Sequence, residues 1–288
     1  MKIGIFDSGI GGISLLYELA SRLPDASFLY YADSENAPYG EKSADQIVAL
    51  TERAMKFTFD RGADAIVLAC NTATAAAASI LRGKYPDRLI FGMEPAVNEA
   101  MRGVSAGKIL ATATPLTLKG EKYHALLDRT GAEERTVSLP LPMLVRYAEG
   151  DLFGGALPDC DGAEDYVRES LSCVVDDVSE ISAVVLGCTH FIYFTDLFRR
   201  LIPDRPIFNG ISGTASHVVN ILKAARHIAD PTDRRAAPSD THVTTAPTDR
   251  RAHPSDVMRR TEFYVSGKSA DDKSLKGFQN CLSLLRKI

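Results

Sequence analysis

Along the first ninety residues the apolar positions switch repeatedly between two rhythms. KIGIF (2–6) is a short, nearly unbroken apolar run of the kind a strand buried on both faces shows, and SLLYELASRL (14–23) spaces its apolar residues as a one-sided helix does. FLYYAD (28–33) predicts a second strand, and SENAPYGEKSAD (34–45), dense in turn residues, predicts a loop. Gln46 to Arg61 predicts a helix closed by Gly62. AIVLAC (65–70) then predicts a third strand, and TATAAAASILRGKY (72–85) an alanine-rich helix. Strand, short loop, helix, strand is the pattern of βαβ units around a parallel sheet.

The same rhythm restarts further on. GKILAT (107–112) predicts a strand followed by a helix in LTLKGEKYHALLDRTG (116–131). Residues 164–180 predict another helix, ISAVVLGC (181–188) a buried strand, and FTDLFRRLIP (194–203) a helix stopped by Pro203. VLACNT (67–72) and VLGCTH (185–190) share one form, an apolar run that ends at a cysteine and passes into polar residues able to start a helix. We therefore expect an α/β protein of two similar domains, each a mostly parallel sheet flanked by helices, with the active site in the cleft between them. Residues 1–96 with 209–288 form the first domain and 97–208 the second. DPTDRRAAPSD (230–240) recurs almost unchanged as APTDRRAHPSD (246–256). That stretch is too polar to offset its ordering entropy and predicts an exposed insertion over 230–256.

Composition narrows the class without naming a function. The 288 residues are 45% hydrophobic and 24% charged, near the average for globular proteins, with a net charge of −4. Neither nucleic acid nor an anionic membrane surface is an expected partner of such a chain. The longest apolar runs fall well short of a membrane span. MKIGIFDSGIGG meets Asp7 and turn glycines before a signal peptide's apolar segment can form. Five cysteines without a leader read as reduced thiols, and the cytoplasm is the expected compartment. No CxxC pair exists, and Cys160 and Cys173 lack histidines at zinc spacing, so no metal site is expected.

Three features carry possible chemistry. DSGIGG (7–12) follows a predicted strand but fits neither dinucleotide nor Walker loops, since Ser14 stands at the third glycine position and no lysine follows. Its backbone N–H groups and the Asp7–Ser8 pair would suit a small anion such as a carboxylate. Cys70 and Cys188 each end a predicted parallel strand, where open α/β sheets bind ligands, and each precedes a predicted helix start that favours a thiolate. A single such cysteine would be read as a small core residue; two at matching places point to a paired site. Such a pair serves redox chemistry, Cys–His nucleophilic catalysis, or opposed acid and base. Adjacency alone makes no dyad of Cys188 and His190, because neighbouring side chains at a helix start point apart.

The sequence resembles the glutamate racemases, cofactor-independent enzymes of bacterial cell-wall synthesis. IGIFDSGIGG (3–12), NAPYGEKS (36–43), ACNTA (69–73), GMEPAV (92–97), ATPLTLK (113–119), LGCTHF (186–191) and FYVSGK (263–268) carry the resemblance in order along nearly the whole chain. The resemblance implies that Cys70 and Cys188 are the acid/base thiols, assisted by Asp7, His190 and Glu149. It places Asp7, Ser8, Tyr39, Gly40, Asn71, Thr72, Thr189 and His190 on substrate contacts, and gives Thr114 and Thr117 a substrate carboxylate. Glu149 rests on a loose match, because PLPMLVRYAEGD (140–151) departs from the family, as does Phe191-Ile192 where Tyr-Pro is usual. No cofactor is implied, and a homodimer is. Racemisation of aspartate, a related cysteine-dependent decarboxylation, and a non-catalytic regulator of the same fold stay as alternatives.

Racemisation needs proton removal on one face of the α-carbon and delivery on the other, so two opposed groups are required. A free thiol of pKa about 8.5 is only a few per cent ionised at pH 7, and a helix N-terminus is expected to bring it to about 7.5. With no Schiff-base lysine and no metal, the carbanion would be stabilised by hydrogen bonds from Ser8, Thr72, Thr114, Thr117, Thr189 and backbone amides in a closed cleft.

Overall fold

The computed structural model describes residues 1–154, 160–229 and 251–286. The first stretch runs β1 (Lys2–Asp7), α1 (Ile13–Arg22), β2 (Ser27–Ala32), α2 (Ala44–Asp60), β3 (Ala65–Leu68), α3 (Asn71–Lys84) and β4 (Leu89–Gly92). The second runs α4 (Val97–Gly103), β5 (Lys108–Ala113), α5 (Pro115–Lys119), α6 (Glu121–Thr130), β6 (Thr136–Pro140), α7 (Pro142–Gly154), α8 (Cys160–Ser172), β7 (Ile181–Leu186), α9 (Thr195–Leu201) and β8 (Ile207–Asn209). The chain then returns through α10 (Ile211–Ala229), α11 (Pro254–Arg259), β9 (Thr261–Val265), β10 (Lys268–Ser269) and α12 (Asp272–Leu285).

Two sheets result, in the orders β10-β9-β2-β1-β3-β4 and β6-β5-β7-β8. Every pairing is parallel except β10 with β9. Strand β1 lies between β2 and β3, which buries Ile3 to Asp7 on both faces and explains its continuous apolar run. In each sheet the first strand has the second on one side and the third on the other. Ligands of open parallel sheets bind beyond the carboxyl ends of the strands at such a reversal. Asp7 ends β1 and Cys70 follows β3 at the first reversal; Thr114 follows β5 and Cys188 follows β7 at the second.

The sheets share a core. Ile3, Ile5 and Phe28 of the first belong to one buried cluster with Leu110, Val184 and Leu186 of the second. Helix α7 packs on α12, and α1 on both α10 and α12, which stitches the halves together on one side. The opposite faces are covered separately, Phe6 and Leu68 under α2 and α3, Ile109 and Val185 under α4 and α6.

Several expectations change in detail. Helix α2 begins at Ala44 because Ser43 and Gln46 form a reciprocal capping box, worth about 1 kcal/mol. Gly62, just past its end, adopts a φ of 79°, which suits glycine. Residues 116–131 form two helices, broken at Gly120, whose extended backbone caps α6. The helix expected over 164–180 is α8, which ends at Ser172, and only a short 3-10 turn follows at Val178–Glu180. At the end of the insertion expected to be exposed over 230–256, Arg251, His253 and Ser255 are exposed, whereas Pro254 is buried and Ala252 packs against the core, its N–H donating to Ser21 Oγ at 2.9 Å. Residues 230–250 of that segment lie outside the described residues.

Candidate active site

Cys70 sits at the end of β3 and caps α3 with its sulfur, which accepts from Ala73 N–H at 3.5 Å and lies 3.6 Å from Ser8 Oγ. The thiol is buried, and its pKa is not lowered as expected from a helix start. Burial, then the charge of Asp7, pushes it up to about 12 against the hydrogen bonds from Ala73 and Ser8.

Cys188 has extended backbone, φ −139° and ψ 140°, and the 3-10 segment Thr189–Phe194 follows it in place of an α-helix. This tighter turn brings Cys188 Sγ to 3.7 Å from His190 Nδ1, so the two side chains do meet, contrary to the expectation for a helix start. The other ring nitrogen, Nε2, is 2.5 Å from Glu149 Oε1. Burial opposes the imidazolium charge, but hydrogen bonds to Cys188 and Glu149 outweigh it and hold the His190 pKa well above the usual value.

Asp7 is fully buried between the two thiols' neighbourhoods. Its Oδ1 accepts from Gly9 N–H at 2.9 Å and its Oδ2 from Thr189 Oγ1 at 3.1 Å. Burial raises its pKa, opposed first by the charge of His190. The glycine turn thus serves a different anion from the one expected. Gly9 N–H is taken by Asp7, and Ile10 N–H by Glu149 Oε1 at 2.8 Å. Its glycines make room for these groups. A Cβ on Gly9 would overlap the Glu149 carboxylate, and one on Gly12 would come within 2.8 Å of Asp7 Cβ. One on Gly11 would meet Thr189 Cβ at 2.7 Å and His190 Nδ1 at 2.8 Å.

Both thiols line one cavity of about 20 Å³, together with Ser8, Thr72, Thr189 and His190. Thr114, Tyr39 and Gly40 complete the opposite wall. Thr72, Thr114 and Thr117 bring their hydroxyls within 2.9–3.4 Å of one another, from the starts of α3 and α5. Tyr39 contributes its ring only, since its hydroxyl donates to Asp33 Oδ2 at 2.7 Å. Gly40 backs onto Thr114. Asn71 and Thr117 line a separate small space with Tyr123, where Asn71 Oδ1 is buried without a partner. Asp7 and Glu149 stand behind Thr189 and His190. A larger cavity of about 690 Å³, edged by Arg82, Lys122 and Arg129, holds neither thiol. Among the described residues no group of three His, Cys, Asp or Glu side chains is placed to hold a metal ion.

The family model for Asp/Glu/hydantoin racemases matches residues 14–221. The chain belongs to this racemase family. A glutamate racemase from Halothermothrix orenii is 44% identical over 223 residues, covering 77% of this chain and 85% of that protein. One from Campylobacter curvus is 44% identical over 229 residues, covering 77% and 83%. Among solved structures, Campylobacter jejuni glutamate racemase superimposes with a TM-score of 0.70 at 28% identity, covering 99% of this chain and 100% of that one. The Escherichia coli glutamate racemase, solved with L-glutamate and an activator, gives 0.69 at 30% identity over 77% and 82%.

Sequence reasoning missed some of what surrounds this racemase site. Pro142 and Val145 of α7 and Pro38 and Glu41 of the 34–45 loop also line the cavity. Arg146 reaches from α7 to Glu41 at 2.6 Å, joining the two halves across its mouth. Nothing local in either segment signals this pairing. No helix among the described residues is long and apolar enough to cross a membrane.

Proposed function

We propose that this protein interconverts L- and D-glutamate, with Cys70 and Cys188 as opposed acid and base. The observation that carries the reading is the pair of thiols, one from each sheet's reversal point, lining one small cavity with separate polar partners. One thiolate takes the α-proton, the Cα–H electron pair passes toward the substrate carboxylate, and the opposite thiol delivers its own proton to the other face. Return of protons to solvent then runs through His190 and Glu149 beside Cys188, while beside Cys70 the Ser8 hydroxyl and the charge of the buried Asp7 act on the thiol. The substrate ammonium group, arriving beside the buried Cys70, favours its thiolate.

The hydroxyls of Thr72, Thr114 and Thr117 form a donor cluster suited to a substrate carboxylate, and Ser8 and Thr189 donate nearby. Tyr39 and Gly40 complete the substrate contacts in this cavity, and Asn71 joins them only by turning out of the separate space it lines with Thr117. The two sheets act as domains, divided near 97 and 209, that open to admit substrate into a space which now holds about one water. The reaction needs no cofactor in this reading, and the product D-glutamate is a building block of peptidoglycan made in the cytoplasm. A homodimer, which the family resemblance implies, is read by light scattering.

The test follows the α-proton of L-glutamate by NMR in deuterated buffer, with optical rotation in the same sample and L-aspartate in parallel. Exchange with loss of rotation for glutamate, abolished in both Cys70→Ala and Cys188→Ala, is the expected result. Wild-type rates in either variant overturn the two-thiol reading, and preference for aspartate overturns the substrate.

A further inference from the structure

Behind the site, one peptide unit is gripped from both ends. The Tyr30 hydroxyl donates to the Gly9 carbonyl at 2.7 Å, and the N–H of that same 9–10 peptide, on Ile10, donates to Glu149 Oε1 at 2.8 Å. The same oxygen faces His190 Nε2 at 2.5 Å, and His190 Nδ1 faces Cys188 Sγ at 3.7 Å. Four consecutive contacts therefore run from a tyrosine on β2 to one of the two thiols. Tyr30 is fully buried, and its ring packs against the stacked pair Phe263 and Phe278. A buried tyrosine needs a partner for its hydroxyl, but any carbonyl of the core would serve. This one belongs to the turn whose glycines make room for the polar groups of the site.

We propose that Tyr30 is a positioning residue of the reaction, acting on the Cys188 side through the 9–10 peptide, Glu149 and His190. The inference rests on the two-thiol reading above. A donor on the carbonyl polarises the peptide and strengthens its N–H toward Glu149, because hydrogen bonds in a chain reinforce one another. Part of the Glu149 charge is then satisfied by the backbone, and the proton between Glu149, His190 and Cys188 stays mobile. Without the hydroxyl, more of that charge falls on His190, which holds its proton more tightly. The other titratable groups facing this cluster are Asp7 from β1, Tyr193 from the 3-10 segment Thr189–Phe194, and Cys281 from α12.

Tyr30→Phe removes one oxygen and keeps the ring. It is expected to lower kcat roughly tenfold with KM unchanged, and to move the alkaline limb of the pH profile up by roughly half a unit. Tyr31→Phe, on the next residue of the same strand but in the other core cluster, is the control and leaves both unchanged. Site-specific 3-fluorotyrosine at position 30, a stronger donor of nearly the same size, moves the limb down and serves if the Phe variant folds poorly. Titration of the His190 nitrogens by ¹⁵N NMR, assigned with His190→Asn, reads the relay without turnover. An unmoved titration in both Tyr30 variants overturns the proposal, whether or not the protein racemises glutamate. A shifted titration in a protein without racemase activity supports the relay and sinks the functional reading.

Discussion

Glu149→Gln isolates the charge of the carboxylate from its shape. The glutamine oxygen can still accept from Ile10 N–H and from the imidazole, so the variant loses one negative charge and little packing. His190 is 2% exposed and Glu149 18%, so solvent screens the pair only weakly. A hydrogen bond to a charged group contributes about 1.5–3 kcal/mol, against about 1 for a neutral one, so the charge is worth roughly 0.5–2 kcal/mol. The pH dependence follows from the sign of the His190 shift. Its pKa in the folded protein is raised, so the stabilisation is complete below the unfolded value of about 6.5 and is lost as pH rises through the folded value. Urea unfolding of wild type and variant at pH 6 should therefore show a gap of roughly 0.5–2 kcal/mol with equal m-values. The gap should close progressively at higher pH as His190 loses its proton. Asp7 titrates in both proteins, and because the Glu149 charge also raises its pKa, its ionisation in the wild type closes the gap with the same sign. A gap independent of pH, or one that widens with pH, refutes the reasoning.

Asp7→Asn should abolish racemisation while raising stability at pH 7, because burial raises the Asp7 pKa and its ionised form is held at a loss. That gain should shrink as pH falls through the raised Asp7 pKa and be gone below the unfolded value of about 3.9, and denaturation across pH 4–7 checks it. Gly11→Ala must displace Thr189 and His190 to bring contacts of 2.7–2.8 Å to the ordinary 3.4 Å. Shifts of that size should cost kcat on the order of 10²-fold, and steady-state kinetics near wild type would contradict the packing argument. Arg146→Ala removes an exposed ion pair and should alter global stability by less than about 1 kcal/mol. It should nevertheless speed alkylation of Cys188 up to about fivefold, as high salt should in the wild type; equal labelling rates would show that the pair does not restrain opening.

The parts of the fold that depend on burial were legible in the sequence. β1, β3, β5 and β7 are buried parallel strands, so each reads as a short apolar run, and the polar residues just past them mark the site. Cys70 and Cys188 stand out for that reason, and Asp7 and Ser8 nearly so. The edge strands β4, β6 and β8 are only partly covered, so their residues need not be apolar and form no fully buried run as β3 does. Glu149 lies on α7, far along the chain from the turn it serves, and only resemblance pointed to it. The contact of Cys188 with His190 depends on a 3-10 turn, which differs from an α-helix start by backbone angles that side-chain pattern does not encode. The thiol pKa of Cys70 was misjudged because position at a helix start is local, whereas burial and the nearby Asp7 charge are products of the whole fold.

The small closed space between the thiols has a bearing on how small molecules would compete for it. A ligand larger than water binds only the opened form, so its measured affinity is its intrinsic affinity multiplied by the fraction of molecules open. Inhibitors should therefore bind more tightly to a variant with a loosened mouth, although the altered residue never touches them. Onset of inhibition should be slow wherever opening is slow. Ranking compounds against the closed shape would discard those that fit the open one, and Arg146→Ala offers a form of the protein in which they would be found.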